Sequence, residues 1–156
     1  MVAQLTIEDI LQKAIQKEIE SQNLYAHLGR RMTDPAAKDT FASMVRAEKR
    51  HQELLEQYQR GDIVEGTLSS GQAVDYKLAE YFDQPEITPQ MSLKDIFLLA
   101  ANREKASHEL YLGLANVHPP GRARRLLEEL AGQELEHKRK VELMYTEVAF
   151  PQTDGG

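Results

Sequence analysis

Two glutamate–histidine pairs in this chain are each separated by three positions, Glu48 with His51 and Glu134 with His137. On an α-helix that spacing places a carboxylate and an imidazole on one face. Each pair interrupts an apolar seam of helical period. Ala37, Phe41, Met44, Leu55 and Tyr58 surround the first, and Ala123, Leu127, Leu130, Val141 and Met144 surround the second. Two more seams are interrupted at matched depth. Glu18 and Ser21 lie among Leu11, Ala14, Tyr25, Leu28 and Met32, and Glu104 and Ser107 among Leu93, Phe97, Ala100, Tyr111 and Leu114. Buried carboxylates and imidazoles need partners, because an unpaired charge in an apolar core is strongly destabilising. The most economical partner for this set is a metal ion.

One glutamate from one helix of each hairpin, with a Glu-x-x-His from the other, is the ligand set of a dinuclear carboxylate centre in a helix bundle. The charges agree with that reading: four carboxylates balance two divalent ions and leave the imidazoles neutral. Without metal, four like charges would meet in an apolar core and their pKa values would have to rise. Mixed imidazole and carboxylate ligation suits iron, manganese or zinc. In the expected arrangement Glu48 and Glu134 bridge the two ions, Glu18 and Glu104 are terminal ligands, and His51 and His137 supply one nitrogen each. Tyr25 and Tyr111 stand seven residues beyond Glu18 and Glu104, two turns along the same face. From there their hydroxyls can donate hydrogen bonds to the liganding carboxylates.

The elements that must position these residues are four helices. The first is expected over about 6–31, started by Thr6 and Asp9 as a capping box. Asp34-Pro35 ends it and caps the second, which runs over about 34–60 to Gly61. The third is expected over about 92–117 behind Ser92 and Asp95, and the fourth over about 121–147 after the turn His118-Pro119-Pro120-Gly121. Between the hairpins, residues 61–91 are punctuated by Gly61, Gly66, Gly71, Pro85 and Pro89, with a short helix expected over Ala73–Phe82. A connection this long must cross the bundle from end to end. The reading is therefore all-α, a four-helix bundle in which two helical hairpins are joined by a long crossover, a single domain over residues 1–150 with a short tail over 151–156.

An internal duplication supports this. A shift of 86 maps Ile10, Ala14, Glu18, Leu24, Tyr25 and Leu28 onto Ile96, Ala100, Glu104, Leu110, Tyr111 and Leu114, and Glu48 and His51 onto Glu134 and His137. Glu18 and Glu48 lie fifteen residues either side of Thr33, as Glu104 and Glu134 do of Pro119. At about 1.5 Å per residue each pair sits about 22 Å from its own turn, so all four carboxylates can meet near the middle of the bundle.

Composition sets the outer bounds. Across 156 residues the formal net charge is −6, which argues against a nucleic-acid footprint. There is no cysteine, and with it go disulfides, thiolate zinc sites, iron–sulfur clusters and thiol catalysis. The Met1-Val2-Ala3-Gln4 start has no signal-peptide pattern and no stretch suits a membrane span, so a soluble cytoplasmic protein is the expectation. His27 and His118, and Glu20, Glu53, Glu109, Glu128, Glu129 and Glu136, are read as solvated, as is the basic run from Arg122 to Arg125.

The series Glu18…Tyr25, Glu48-x-x-His51, Glu104…Tyr111, Glu134-x-x-His137 resembles the ferritin-like di-iron superfamily, and is most similar to rubrerythrin-type proteins. The resemblance spans nearly the whole chain apart from the crossover and tail. It implies a ferritin-like fold and a non-haem di-iron oxidoreductase in which two irons react with peroxide or dioxygen. Rubrerythrins carry a cysteine-ligated rubredoxin iron that delivers electrons. This chain has none, so its electrons would come from a separate donor protein. Rubrerythrins also have a further glutamate three residues after the helix-3 ligand, where this chain has Ser107, with His108 one position on. Bacterioferritins share the doubled Glu-x-x-His, but Lys49 stands where their haem-ligating Met would follow the glutamate. A homodimer is the family expectation. Two other functions fit the same ligands: ferroxidase activity with iron sequestration, and a structural bundle holding a non-redox metal.

Overall fold

The computed structural model describes residues 5–74, 76–82, 84–88 and 90–149. Pro89 and the tail over 151–156 lie outside these residues. Four long helices account for most of the chain: α1 (Ile7–Arg31), α2 (Pro35–Arg60), α3 (Leu93–Asn116) and α4 (Arg122–Ala149).

Their ends follow from local chemistry. The Thr6 hydroxyl accepts from the Asp9 amide at 3.2 Å, and the Asp9 carboxylate accepts from the Thr6 amide at 3.1 Å. This reciprocal box satisfies two amides that the first turn of α1 leaves free. Asp34 caps α2 through the Ala37 amide at 3.3 Å, with Pro35 in the first turn where its missing N–H is not needed. Gly61 ends α2 in the left-handed region at φ 85°, which lets the Asp62 amide reach back to the Gln57 carbonyl at 2.9 Å. Ser92 caps α3 through the Asp95 amide at 3.1 Å.

Two antiparallel hairpins, α1 with α2 and α3 with α4, pack against each other, with the crossover laid over α3 and α1. The apolar core is split into two plugs. One holds Ile10, Leu55, Tyr58, Leu110, Leu114, Leu127 and Leu130. The other holds Leu24, Leu28, Phe41, Met44, Ile96, Phe97 and Val141. The first hairpin's turn closes the second plug and the second hairpin's turn closes the first. The crossover therefore runs the length of the bundle, as the sequence predicts. What separates the two plugs is the belt of glutamates and histidines.

The crossover departs from expectation in its middle. The helix expected from Ala73 starts later and is a 3-10 helix, Tyr76–Phe82. Backbone pairing takes residues 73–74 instead: Thr6 bridges to Ala73, and the Val74 amide donates to the Leu5 carbonyl at 2.7 Å. Its start is fixed by a close crossing of two glycines. Gly66, at φ 75°, lies against Gly121, and a Cβ on Gly121 would come within 3.1 Å of the Glu65 carbonyl oxygen and the Gly66 Cα. Both obstacles are backbone, so Gly121→Ala is expected to destabilise by about 1–3 kcal/mol, a Tm loss of several degrees in thermal unfolding.

His118 corrects a sequence reading. It is buried rather than solvated, at 2% exposure. Its Nδ1 donates to the Leu114 carbonyl at 2.7 Å, which leaves Nε2 to accept from the Tyr58 hydroxyl at 2.7 Å. The Tyr58 oxygen in turn accepts from the Leu68 amide at 3.1 Å. This chain of bonds ties the end of α2, the crossover and the second turn together. The burial that allows it also pulls the His118 pKa down.

Candidate metal centre

Glu18 on α1, Glu48 and His51 on α2, Glu104 on α3, and Glu134 and His137 on α4 all point into the belt between the plugs. Glu48 and His51 are fully buried, and no other member of the six exceeds 5% exposure. They form two overlapping groups, Glu18, Glu48, His51 and Glu134, and Glu48, Glu104, Glu134 and His137. Within each group one ligand atom per residue lies within 4.8 Å of all the others. Glu48 and Glu134 belong to both groups, the placement that the sequence reading gives to bridging carboxylates.

The two halves face each other with near two-fold symmetry. His51 Nδ1 lies 2.8 Å from Glu134 Oε1, and His137 Nδ1 lies 2.7 Å from Glu48 Oε1. The two imidazole rings are nearly parallel, with centroids 6.1 Å apart. These separations bring a nitrogen and an oxygen from facing hairpins close enough to serve one ion.

The tyrosines reach across the pseudo-symmetry axis. The Tyr25 hydroxyl on α1 donates to Glu104 Oε1 on α3, and the Tyr111 hydroxyl on α3 donates to Glu18 Oε1 on α1. Each occupies one oxygen of a carboxylate and leaves the other aimed inward. Among the described residues, seven buried side-chain nitrogens and oxygens have no hydrogen-bond partner. Six of them belong to this cluster: Glu18 Oε2, Glu48 Oε2, His51 Nδ1, Glu104 Oε2 and both oxygens of Glu134. Buried polar atoms are rarely left this way, and a converging set of lone pairs is what a cation would satisfy. The residues fit a metal.

The electrostatics lead to the same place. Burial, with the neighbouring carboxylates, holds Glu48, Glu104 and Glu134 well above the ordinary carboxylate range. At Glu18, hydrogen bonding from Glu48, His51 and Tyr111 outweighs burial and lowers the pKa. Burial opposes charge on His51, but Glu134, Glu18 and Glu48 outweigh it and raise its pKa. His137 is pulled down to about 4, by burial first and then by the positive charges of His51 and Lys140. The belt thus holds protons where a metal would hold charge.

Some residues fall outside the groups. Ser107 is buried, and His108 turns its Nδ1 to the Ala131 carbonyl on α4 at 2.7 Å. Neither belongs to either ligand group. His27 is half-buried on the outer side of α1, lining a groove under the crossover. Lys17 is a buried residue that sequence reasoning missed. Its ammonium donates to the Tyr81 carbonyl at 2.9 Å, and burial, with the charge of Arg103, lowers its pKa to about 8. The crossover covers it, and nothing in the helical period of α1 announces that cover. Gln133 was missed as well, although its amide oxygen lies 2.6 Å from His51 Nε2. The available signal was a mismatch in the repeat, where Ala47 stands 86 residues earlier.

Removing the tyrosine contacts tests their part in the site. Tyr25→Phe or Tyr111→Phe is expected to weaken metal binding by about 10-fold, the usual effect of deleting a hydrogen bond to a ligand, as read by calorimetric titration. The core volume is almost unchanged by either substitution.

Comparison with known proteins places the chain. Among the described residues, no helix is long and apolar enough to cross a membrane. No curated protein matches the chain. Two solved structures share the fold. A hypothetical protein from Pyrococcus furiosus superposes with a TM-score of 0.75 at 22% identity, over 96% of this chain and 94% of its own. A Thermotoga maritima protein, described as a ferritin-like diiron-carboxylate protein, superposes with a TM-score of 0.69 at 25% identity, over 95% of this chain and 99% of its own. The bundle is ferritin-like. The profile of the rubrerythrin family matches residues 9–145, nearly the whole length, and the chain belongs to that family.

Proposed function

We propose that this protein is a non-haem di-iron carboxylate oxidoreductase that reacts with peroxide or dioxygen and draws its electrons from a separate donor protein. The observation that carries the reading is the pair of overlapping buried ligand groups that share Glu48 and Glu134. Membership of the rubrerythrin family and the description of the Thermotoga maritima relative favour iron among the metals that such ligands suit.

When bound, two irons supply reversible electron exchange with an oxidant, chemistry that no side chain here provides. The residues hold and insulate them. Glu18 with His51, and Glu104 with His137, would each hold one ion, with Glu48 and Glu134 available to both. Tyr25 and Tyr111 fix the rotation of Glu104 and Glu18 and place a proton beside each carboxylate. The apolar plugs above and below exclude water. Residues 1–150 act as one domain, and pairing as a homodimer follows the family expectation.

The test is elemental analysis of protein purified without chelators, followed by anaerobic Fe(II) loading and exposure to peroxide or air. About two irons per chain, oxidised faster by peroxide than by air, supports the proposal. Rapid oxidation by air with uptake continuing past two per chain replaces it with ferroxidase and iron sequestration. Stoichiometric zinc, inert to both oxidants, replaces it with a structural role. Absence of stoichiometric metal overturns the metal centre.

A further inference from the structure

The two halves of the belt match at their inner face and differ at their outer face. Inside, each histidine turns Nδ1 toward the carboxylates at nearly the same distance, 2.8 Å from Glu134 for His51 and 2.7 Å from Glu48 for His137. Outside, His51 Nε2 is held by the Gln133 side chain at 2.6 Å. The amide of Gln133 is itself oriented, because its nitrogen donates to Glu129 Oε1 at 3.1 Å, one turn back along α4. Glu129 Oε1 accepts that bond, so the Gln133 NH2 faces Glu129 and its carbonyl faces His51. A carbonyl can only accept as well. His51 therefore carries a proton on Nε2 and offers Nδ1 to the site. Tautomer and ring angle are set from outside.

The repeat gives His137 no equivalent. Eighty-six residues before Gln133 and Glu129 stand Ala47 and Ser43. The methyl group of Ala47 can neither donate nor accept, so nothing at that position orients the His137 ring. Outer hydrogen bonds of this kind are worth about 10–100-fold in metal affinity.

We propose that Gln133 is a positioning residue that makes the two metal positions unequal. The position of Glu18 and His51 is preset and fills first, and that of Glu104 and His137 fills second and more weakly. This rests on the dinuclear reading above, and the test separates the two.

Metal-free full-length protein is titrated with Co(II) in a calorimeter, with the visible Co(II) absorption followed in parallel. The wild type is expected to bind in two steps whose affinities differ by about 10–100-fold. Gln133→Leu, of similar volume and without an acceptor, is expected to weaken the tight step by about 10-fold or more and leave the weak step in place. Gln133→Glu keeps an acceptor facing Nε2 and is expected to retain the tight step, a rescue that a purely structural role would not give. Ala47→Gln, independent of Gln133, is expected to strengthen the weak step. Two equal steps in the wild type, or two unequal steps that neither Gln133→Leu nor Ala47→Gln moves, overturn the inference and leave the dinuclear centre standing. No Co(II) binding by the wild type overturns both.

Discussion

Glu48→Gln is expected to abolish stoichiometric metal binding and, in the metal-free protein at pH 7.5, to raise thermal stability rather than lower it. Glu48 is fully buried and belongs to both ligand groups, so its loss removes a ligand from each metal position. A neutral amide offers a far poorer ligand oxygen than a carboxylate, and affinity at both positions should fall by more than about 100-fold. Stability moves the other way. Burial, with the charges of Glu18 and Glu104, holds the Glu48 carboxyl well above its ordinary value of 4.5, which means that the metal-free fold carries this group against its preference. Glutamine has nearly the same volume and its amide still reaches His137, which now lies 2.7 Å from Glu48 Oε1. Glutamine removes the cost of keeping that carboxyl protonated at pH 7.5, so Tm is expected to rise by several degrees. Metal-dependent melting checks both halves at once. A variant that keeps two ions per chain, or melts below the metal-free wild type, refutes the assignment of Glu48.

The second large effect is a pH dependence that changes sign with metal. Without metal, Glu48, Glu104 and Glu134 have folded-state pKa values raised well above 4.5, so the native state holds protons that the unfolded chain has released. Stability from these groups is fully present below pH 4.5 and is lost as pH rises toward the folded values. His51 acts in the same sense: its raised pKa stabilises fully below 6.5 and progressively less above it. His137 opposes them, since its lowered pKa adds stability as pH rises from about 4 to 6.5. His118, its pKa also lowered by burial, opposes them in the same way, and four groups outweigh two. The metal-free protein is therefore expected to lose stability from pH 5 to 7.5, a window that ends below the lowered pKa of Lys17. Metal requires the same ligands deprotonated and expels their protons, so its affinity grows over that range. At pH 7.5, metal at 1,000-fold its dissociation constant should contribute about 4 kcal/mol, roughly 8–16 °C in Tm, shrinking to a small increment at pH 5. Melting curves with and without metal across the window decide it. Parallel curves would mean that the belt does not exchange protons for metal.

The bundle and the six converging residues were legible because helical period and spacing are local properties that a duplicated sequence repeats. The match of Glu18 with Glu104, and of Glu48-x-x-His51 with Glu134-x-x-His137, places them at one level before any coordinates are considered. What was not legible depends on contacts between distant segments. His118 sits in a turn beside two prolines and looks solvated; only the approach of Tyr58 and the crossover buries it. Lys17 lies beside the seam of α1 with the charge of a surface residue, and only the 3-10 helix of the crossover buries it. That helix was itself expected to be longer, and pairing of the crossover with Leu5 and Thr6 shortened it. Gln133 is a polar residue on a helix flank until Glu129 shows which way its amide must turn.

The crossover contributes no residue to either ligand group, and the two turns lie at opposite ends of the bundle. The link between α2 and α3 thus supplies no ligand to the site. A single cut between them would yield two hairpins, each carrying one Glu-x-x-His, one further glutamate and one tyrosine whose hydroxyl reaches the other hairpin's glutamate. Neither piece has a whole site of its own. Such a nicked protein would be a noncovalent pair clasped by its ions, with a melting temperature that depends on concentration and a clasp that a chelator opens.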